Sequence, residues 1–264
     1  QGYWPDGLYT APSDEALIYD IQTMKNLGFN MIRKHVKVET ARWYYHCDRL
    51  GMIVWQDMVN GGTYNAPFMT WLPALFPKFK LHTSDRIHPL FGRKNVHGRE
   101  EFIRECKETV TALKAFPCIS TWVIFNEGWG QFDLKKLTAL FRELDDPRLI
   151  DSASGWFDRR QGDFKSEHNY FAKQFVTPSD RAFVISEYGG YTCQVKGHTC
   201  SGKTYGYKIC SSQEEFQAAY HKLMSEEIDP LKEQGLCGAV YTQLSDIEDE
   251  INGLITYDRE VCKL

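Results

Sequence analysis

The strongest constraint on the fold is that strand-like apolar segments alternate with helical segments along nearly the whole chain. The segment 119–125 is apolar on both faces apart from Ser120 and Thr121. A strand of this kind is typical of a parallel sheet covered on both sides, because a half-solvated antiparallel sheet would show polar residues at alternate positions. A helical pattern that starts at Ser13 and ends at Gly28, with capping residues at both ends, fits the same scheme. Further helices are predicted around 134–144 and over 213–233.

This alternation predicts an α/β protein, and the simplest architecture is an eight-stranded (β/α)8 TIM barrel whose first strand is truncated. The expected strands cover residues 29–33, 52–55, 119–125, 149–152, a short segment near 168, 182–186 and 238–242, after the end of a first strand at 2–4. A doubly wound open sheet is the alternative. Such a sheet usually carries a glycine-rich phosphate turn, and neither G-x-G-x-x-G nor G-x-x-x-x-G-K-[ST] occurs in the sequence.

Two segments interrupt the rhythm of strands and helices. Residues 58–98, after the third strand, contain a Gly-Gly pair and several prolines, and residues 190–211 form a second loop. Long irregular stretches inside a domain are usually functional loops.

We expect a single catalytic barrel domain over residues 1–264. Because the sequence starts with Gln1 and no leader follows, we expect it to be part of a larger protein, and a secreted or periplasmic location stays open.

Charge and composition exclude two classes of partner. The formal net charge is −4 and no basic face stands out, which argues against nucleic-acid binding. No apolar run approaches the roughly 18 residues of a membrane helix.

The eight cysteines are too sparse in 264 residues for a disulfide scaffold. Cys193, Cys200 and Cys210 share one polar loop with His198, for which a zinc site, a disulfide and free thiols are the alternatives. We predict no metal centre and no cofactor.

Two glutamates follow strongly apolar strands at the fourth and seventh barrel positions. In TIM barrels, catalytic side chains stand at the C-terminal ends of the strands, so Glu127 and Glu187 face each other across the mouth. A buried acid is costly unless it is used or paired, and pairing with Arg33, Lys34 or Lys37 is the alternative. Two carboxyl groups flanking a scissile bond are what glycoside hydrolysis needs.

Other polar and aromatic residues end the strands beside these glutamates. Trp129 and Trp156 offer apolar faces on which a sugar ring can stack. The candidate substrate-binding residues are Asn126, Tyr170, His168, Asp57, His35 and Trp156. For the last four, a hydrogen-bonded structural group at the barrel rim is the alternative.

Several motifs resemble those of known glycosidases. Asn126-Glu127, after an apolar strand, is similar to the acid/base motif of retaining glycosidases with barrel folds. The segment Ser186-Glu187-Tyr188-Gly189-Gly190 resembles the nucleophile motif of glycoside hydrolase family 2, which holds β-galactosidases, β-glucuronidases and β-mannosidases. Segments 28–35, 47–57 and 242–253 also match this family in order.

The resemblance implies a retaining, β-galactosidase-like exo-β-glycosidase that removes terminal β-linked sugars from oligosaccharides or glycoconjugates by double displacement. It implies that Glu187 is the nucleophile and Glu127 the general acid/base. Asn126 would hold the sugar 2-hydroxyl and Tyr170 would steer the nucleophile. Arg33 is expected to orient Glu187 rather than to contact sugar.

The sequence also departs from the family pattern. It reads Arg33-Lys34-His35-Val36 where members commonly have Arg-x-Ser-His, and it lacks an Asn-x-Lys element that would bind a uronic acid carboxylate. Family members usually carry β-sandwich domains before the barrel, and we expect these as partners within the same protein. A non-catalytic carbohydrate-binding barrel and an endo-acting barrel glycosidase are the alternative functions.

Two charged clusters are given structural interpretations. Lys37 and Glu39 are expected to pair with each other. The acidic run of Asp246, Glu248, Asp249 and Glu250 is interpreted as a solvated loop.

Overall fold

A computed structural model describes residues 3–65, 67–71 and 84–264. The strands within these residues are β1 Met31–Lys34, β2 Ile53–Asp57, β3 Ile119–Asn126, β4 Leu149–Ser154, β5 Phe164–Asn169, β6 Ala182–Gly189, β7 Tyr191–Cys193, β8 Lys208–Cys210 and β9 Leu236–Thr242. The α-helices are α1 Asp14–Asn26, α2 Ala41–Leu50, α3 Val96–Leu113, α4 Leu134–Leu144, α5 Gln213–Leu223 and α6 Asp229–Lys232, with π-helical turns at Pro67–Trp71 and Met224–Ile228. Within these ranges, no helix has the length and apolar character that a bilayer span requires.

Three of the helices begin at a side-chain cap that the sequence provides: Ser13 for α1, Asn95 for α3 and Ser212 for α5. Ser13 accepts a hydrogen bond from the Ala16 N–H at 3.3 Å and so caps α1, as predicted. The helix predicted over 213–233 is observed as a continuous helical run from Gln213 to Lys232, within which a π-helical turn at Met224–Ile228 lies between α5 and α6. Pro230 lies in the first turn of α6 and has no N–H to continue the preceding helical hydrogen bonds.

Seven parallel strands form two sheets that follow the chain order, β1-β2-β3-β4 and β5-β6-β9. The end of the first sheet lies beside the start of the second, where β4 and β5 are in contact. Because all seven strands run in one direction, their C-terminal ends lie at one edge. Register brings Asn126 opposite Ser154 and His168 opposite Glu187 at that edge.

The ring of strands is open between β1 and β9 within the described residues. The strand end expected at 2–4 is wrong for Tyr3 and Trp4, because Trp4 forms an antiparallel bridge with Leu8 instead. The backbone turns back there through hydrogen bonds between Trp4 and Leu8 at 2.8 and 2.9 Å. Gly2 lies outside the described residues.

Large apolar side chains fill the space between the two sheets. Trp55, Val123, Phe164 and Val184 come from four different strands and form one buried cluster. The rings of Trp55 and Phe164 lie 5.0 Å apart. A barrel interior filled with side chains is a packed core rather than a channel, so the space for a ligand lies above it at the strand ends.

The two predicted loops are only partly irregular. Helix α3 begins at Val96, inside the loop expected over 58–98, where the Asn95 side chain caps it through the Gly98 N–H. The part of that prediction that falls on residues 66 and 72–83 lies outside the described residues. The loop expected over 190–211 contains the parallel pair β7 and β8, with Cys193 opposite Cys210.

Candidate active site

A cavity of about 320 Å³ opens at the C-terminal ends of the strands. It extends along the gap between β1 and β9. Its polar lining includes Arg33, His35, Asn126, Glu127, Tyr170, Glu187, Tyr207, Gln243, Glu250 and Asn252. Concave sites with a few converging polar groups are the usual place for small-ligand binding.

The buried guanidinium of Arg33 organises one side of this cavity. It forms a two-point contact with Asp57, with Nε–Oδ1 and Nη2–Oδ2 distances of 3.0 and 2.8 Å. It also donates to Glu187 Oε1 at 3.0 Å and to Asn126 Oδ1 at 2.8 Å. The planar, always charged guanidinium suits this role, because its donors hold several acceptors in fixed directions. Arg33 therefore orients Glu187, as the sequence predicted.

Glu187 lies near the end of β6 and receives donors on both carboxylate oxygens. Tyr170 donates from its hydroxyl to Glu187 Oε2 at 2.6 Å, while Arg33 contacts Oε1. Burial by itself raises the pKa of Glu187, but His168, Arg33 and His35, together with the Tyr170 hydrogen bond, bring this pKa below its ordinary value. Burial raises the pKa of Tyr170 well above its ordinary value, so the phenol keeps its proton. The arrangement favours an ionised Glu187.

Glu127 follows β3 and has a left-handed backbone with φ of 54°. Its N–H donates to the Ser154 carbonyl at 2.9 Å, which ties this unusual conformation to β4. Its own carbonyl accepts a hydrogen bond from Trp156 Nε1 at 3.2 Å. Non-glycine residues in this region are uncommon and often occur at functional sites, where surrounding contacts hold them.

His168, on β5, lies between the two glutamates. Its Nδ1 is 2.8 Å from Glu127 Oε1 and 3.4 Å from Glu187 Oε2. Its Nε2 is 3.0 Å from the hydroxyl of Ser154, which in turn donates to Ser186 at 2.8 Å. One ligand-type atom from each of Glu127, His168 and Glu187 lies within 4.8 Å of the other two. The His168 imidazole thus lies close to the carboxylates of both Glu127 and Glu187.

Some of the site residues predicted from the sequence line the cavity, and others lie beneath it. Asn126, Tyr170 and His35 line the cavity together with the glutamates. Asp57 is buried beneath the mouth, where its Oδ2 contacts both Arg33 and His35 Nδ1, the latter at 3.0 Å. Trp156 is half-buried, with its ring 5.4 Å from that of His168. All of these residues come together at one edge of the sheets.

Sequence reasoning missed Tyr207 and misjudged part of the acidic run. Tyr207 stacks on Tyr170 with ring centroids 3.8 Å apart, and nothing in its loop sequence predicts this contact. Asp246 is buried against Lys263 at 2.7 Å, and Glu250 lines the cavity, so the solvated-loop interpretation is wrong for both. It fits only the exposed Glu248 and Asp249, because chain folding after β9 turns the first and last acids of the run inward.

The other charged groups that the sequence singled out are paired, and the cysteines are not bonded to one another. Glu39 binds Lys37 at 2.9 Å, as predicted, and also binds Lys34 at 2.8 Å. His198 contacts Asp258 at 2.8 Å. Cys193 and Cys210 are buried side by side on β7 and β8, and the eight cysteines are free thiols.

Parallel strands covered by helices, with converging polar side chains at their C-terminal ends, define this chain as an α/β-barrel protein. A family model described as "Glycosyl hydrolases family 2, TIM barrel domain" matches residues 11–263, and the chain belongs to this family. The predicted family and fold class are therefore confirmed.

Similar proteins are found among both sequences and solved structures. A β-galactosidase of Priestia megaterium is 24% identical over 213 residues, covering 73% of this chain and 17% of that protein. A β-galactosidase of Streptococcus thermophilus is 23% identical over 144 residues, covering 52% of this chain and 12% of that protein. The chain thus spans less than a fifth of the curated relatives that it matches.

Two solved structures illustrate the likeness in fold. A β-galacturonidase of Eisenbergiella tayi bound to galacturonate aligns with a TM-score of 0.67 and 16% identity, covering 98% of this chain and 47% of that one. A β-glucuronidase of Bacteroides uniformis aligns with a TM-score of 0.60 and 16% identity, covering 98% and 32%. At these identities, the structures support the barrel fold.

Proposed function

We propose that this chain is the catalytic barrel of a retaining exo-β-glycosidase of family 2. The observation that carries the proposal is the short separation of the two glutamates, with one oxygen of each within 4.8 Å of the other. Retaining glycosidases hold their carboxyl groups about 5–5.5 Å apart, whereas inverting enzymes need about 6.5–9.5 Å to admit a water. The separation supports direct attack by a carboxylate.

In the first step, Glu187 attacks the anomeric carbon and forms a covalent ester with the sugar. The bond to the leaving oxygen breaks, and the carboxyl group of Glu127 gives its proton to that oxygen. The lowered pKa of Glu187 keeps the nucleophile ionised near neutral pH. Two carboxyl groups in different environments can hold these opposite protonation states.

In the second step, water releases the sugar from Glu187. Glu127, now ionised, takes a proton from the water as its oxygen attacks the anomeric carbon and the ester bond breaks. This returns both glutamates to their starting states. Two displacements at the same carbon leave the product with the configuration of the substrate.

Neighbouring residues set the geometry for both steps. Asn126, held by Arg33 at 2.8 Å, is the proposed partner of the sugar 2-hydroxyl. Tyr170 keeps the attacking oxygen of Glu187 in place through its 2.6 Å hydrogen bond. His168 contacts both carboxylates and is buried, so we assign it a positioning role rather than contact with sugar. His35, Asp57 and Trp156 remain proposed members of the same site.

Hydrolysis of aryl β-glycosides by the full-length protein tests this function. We expect release of the aryl alcohol from at least one member of a panel of galactoside, glucoside, glucuronide, mannoside and arabinoside. An oligosaccharide series should lose single terminal sugars. Sugar binding without release would favour the carbohydrate-binding alternative, and internal cleavage would favour an endo-acting enzyme.

A further inference from the structure

Glu250 belongs to the same cavity as the two glutamates of the proposed chemistry. It lies in the segment after β9, and its half-buried side chain lines the cavity together with Glu127 and Glu187. The exposed Glu248, two residues earlier, has no such position. Glu250 is therefore a third acid at the mouth of the cavity, and it has no role in the proposed double displacement.

The local structure holds the Glu250 carboxylate in place. Gln243 donates from its side-chain amide to Glu250 Oε2 at 3.2 Å and to Asn252 Oδ1 at 2.7 Å. The backbone of Glu250 pairs with Ile247 in both directions, at 2.8 and 3.0 Å. Among the described residues, only one of the two carboxylate oxygens of Glu250 receives a side-chain hydrogen bond. The other oxygen is left to accept one from a ligand.

The charges around the cavity favour an uncharged ligand. The basic side chains that line it within the described ranges are Arg33, Lys34 and His35, and each is paired with a carboxylate. Burial and the nearby charge of Glu187 raise the pKa of Glu250, so a negative charge is less favourable at Glu250 than in water. A ligand carboxylate would add a further negative charge at low dielectric, where repulsion is strong.

We propose that Glu250 is a specificity-determining residue that accepts hydrogen bonds from hydroxyls of an uncharged sugar and discriminates against uronic acids. This inference rests on the proposed function and names the substrate class of the same site. The solved structures described above are a β-galacturonidase and a β-glucuronidase. The proposal thus assigns this chain uncharged glycosides, whereas the names of those two enzymes indicate uronides.

The substitution Glu250→Gln in the full-length protein tests the proposal. It keeps the shape and the acceptor for Gln243 but removes the charge. We compare kcat/KM for 4-nitrophenyl β-galactoside and β-glucoside with kcat/KM for the matching galacturonide and glucuronide. The wild type should prefer the neutral substrates, and the variant should shrink this preference by about 10-fold or more, since hydrogen bonds to charged groups are stronger than neutral ones. Glu250→Lys should shift the ratio further toward uronides.

Glu248→Gln is the matched control, because it removes the same charge from an exposed position in the same loop. It should leave the substrate ratio unchanged, and thermal unfolding checks that all variants are folded. An unchanged ratio in Glu250→Gln, or a wild type that prefers uronides, overturns the inference while leaving the proposed hydrolysis intact.

Calorimetric binding of methyl β-glycosides and methyl β-uronides separates failure of the inference from failure of the proposed function. A wild type that hydrolyses nothing but binds neutral glycosides more tightly than uronides, with the preference lost in Glu250→Gln, refutes the hydrolase and supports the role of Glu250. Equal binding of both classes, or binding of neither, overturns that role.

Discussion

Replacement of Glu187 with alanine is expected to lower kcat for aryl β-glycosides by about 10⁴-fold or more, because the covalent step loses its nucleophile. The fold should survive, since Arg33 keeps its contacts with Asp57 and Asn126. The measurement is release of the aryl alcohol by the full-length variant and the wild type. Glu248→Ala, at an exposed site in another loop, is the control and should retain wild-type turnover.

Added azide should restore part of the activity of Glu187→Ala. Azide can enter the space left by the carboxylate and attack the anomeric carbon, while Glu127 still protonates the leaving oxygen. One displacement inverts the configuration, so the product should be an α-glycosyl azide. If Glu187→Ala without azide keeps more than a tenth of the wild-type kcat, Glu187 is not the nucleophile.

The loss caused by Glu127→Ala should depend on the leaving group. For substrates with a poor leaving group, such as alkyl glycosides, removal of the general acid should cost about 10²–10⁴-fold in kcat/KM. A 2,4-dinitrophenyl glycoside hardly needs protonation, so formation of the covalent ester should be much less affected. Pre-steady-state release of dinitrophenol should then show a burst, because the later attack by water has lost its base.

Azide also distinguishes the two variants. In Glu127→Ala it attacks the ester on Glu187, and two displacements give a β-glycosyl azide. Equal losses on alkyl and dinitrophenyl substrates would argue against the acid/base role of Glu127. His168→Asn offers a comparison, because it keeps both glutamates in the chain while removing the imidazole that contacts their carboxylates.

Sequence patterns were informative for elements whose apolar residues keep one helical or strand spacing throughout. The strand predicted over 119–125 is observed as Ile119–Asn126, and the helix predicted over 134–144 has the observed bounds. The strand is buried along most of its length and the helix buries one face through Leu134, Leu137 and Phe141, so local pattern and tertiary packing agree. The helix predicted over 213–233 is observed from Gln213 to Lys232, but its π-helical turn was not predicted, because apolar spacing does not show the change in hydrogen bonding before Pro230.

The candidate site shows the same division between local and long-range information. Glu127 and Glu187 could be singled out because each ends an apolar strand, where an unpaired acid is costly. The roles of Glu250 and Tyr207 could not be, since they depend on loops folding back over the mouth from sequence-distant positions. In the acidic run, the sequence carries no periodicity that separates the inward Asp246 and Glu250 from the exposed Glu248.

The configuration of the first sugar released tests the central claim most directly. Proton NMR of an aryl β-glycoside mixed with the full-length wild-type protein resolves the anomeric signals before mutarotation. Double displacement through Glu187 predicts that the β anomer appears first and the α anomer only later. Initial appearance of the α anomer would mean a single displacement by water and would contradict the account.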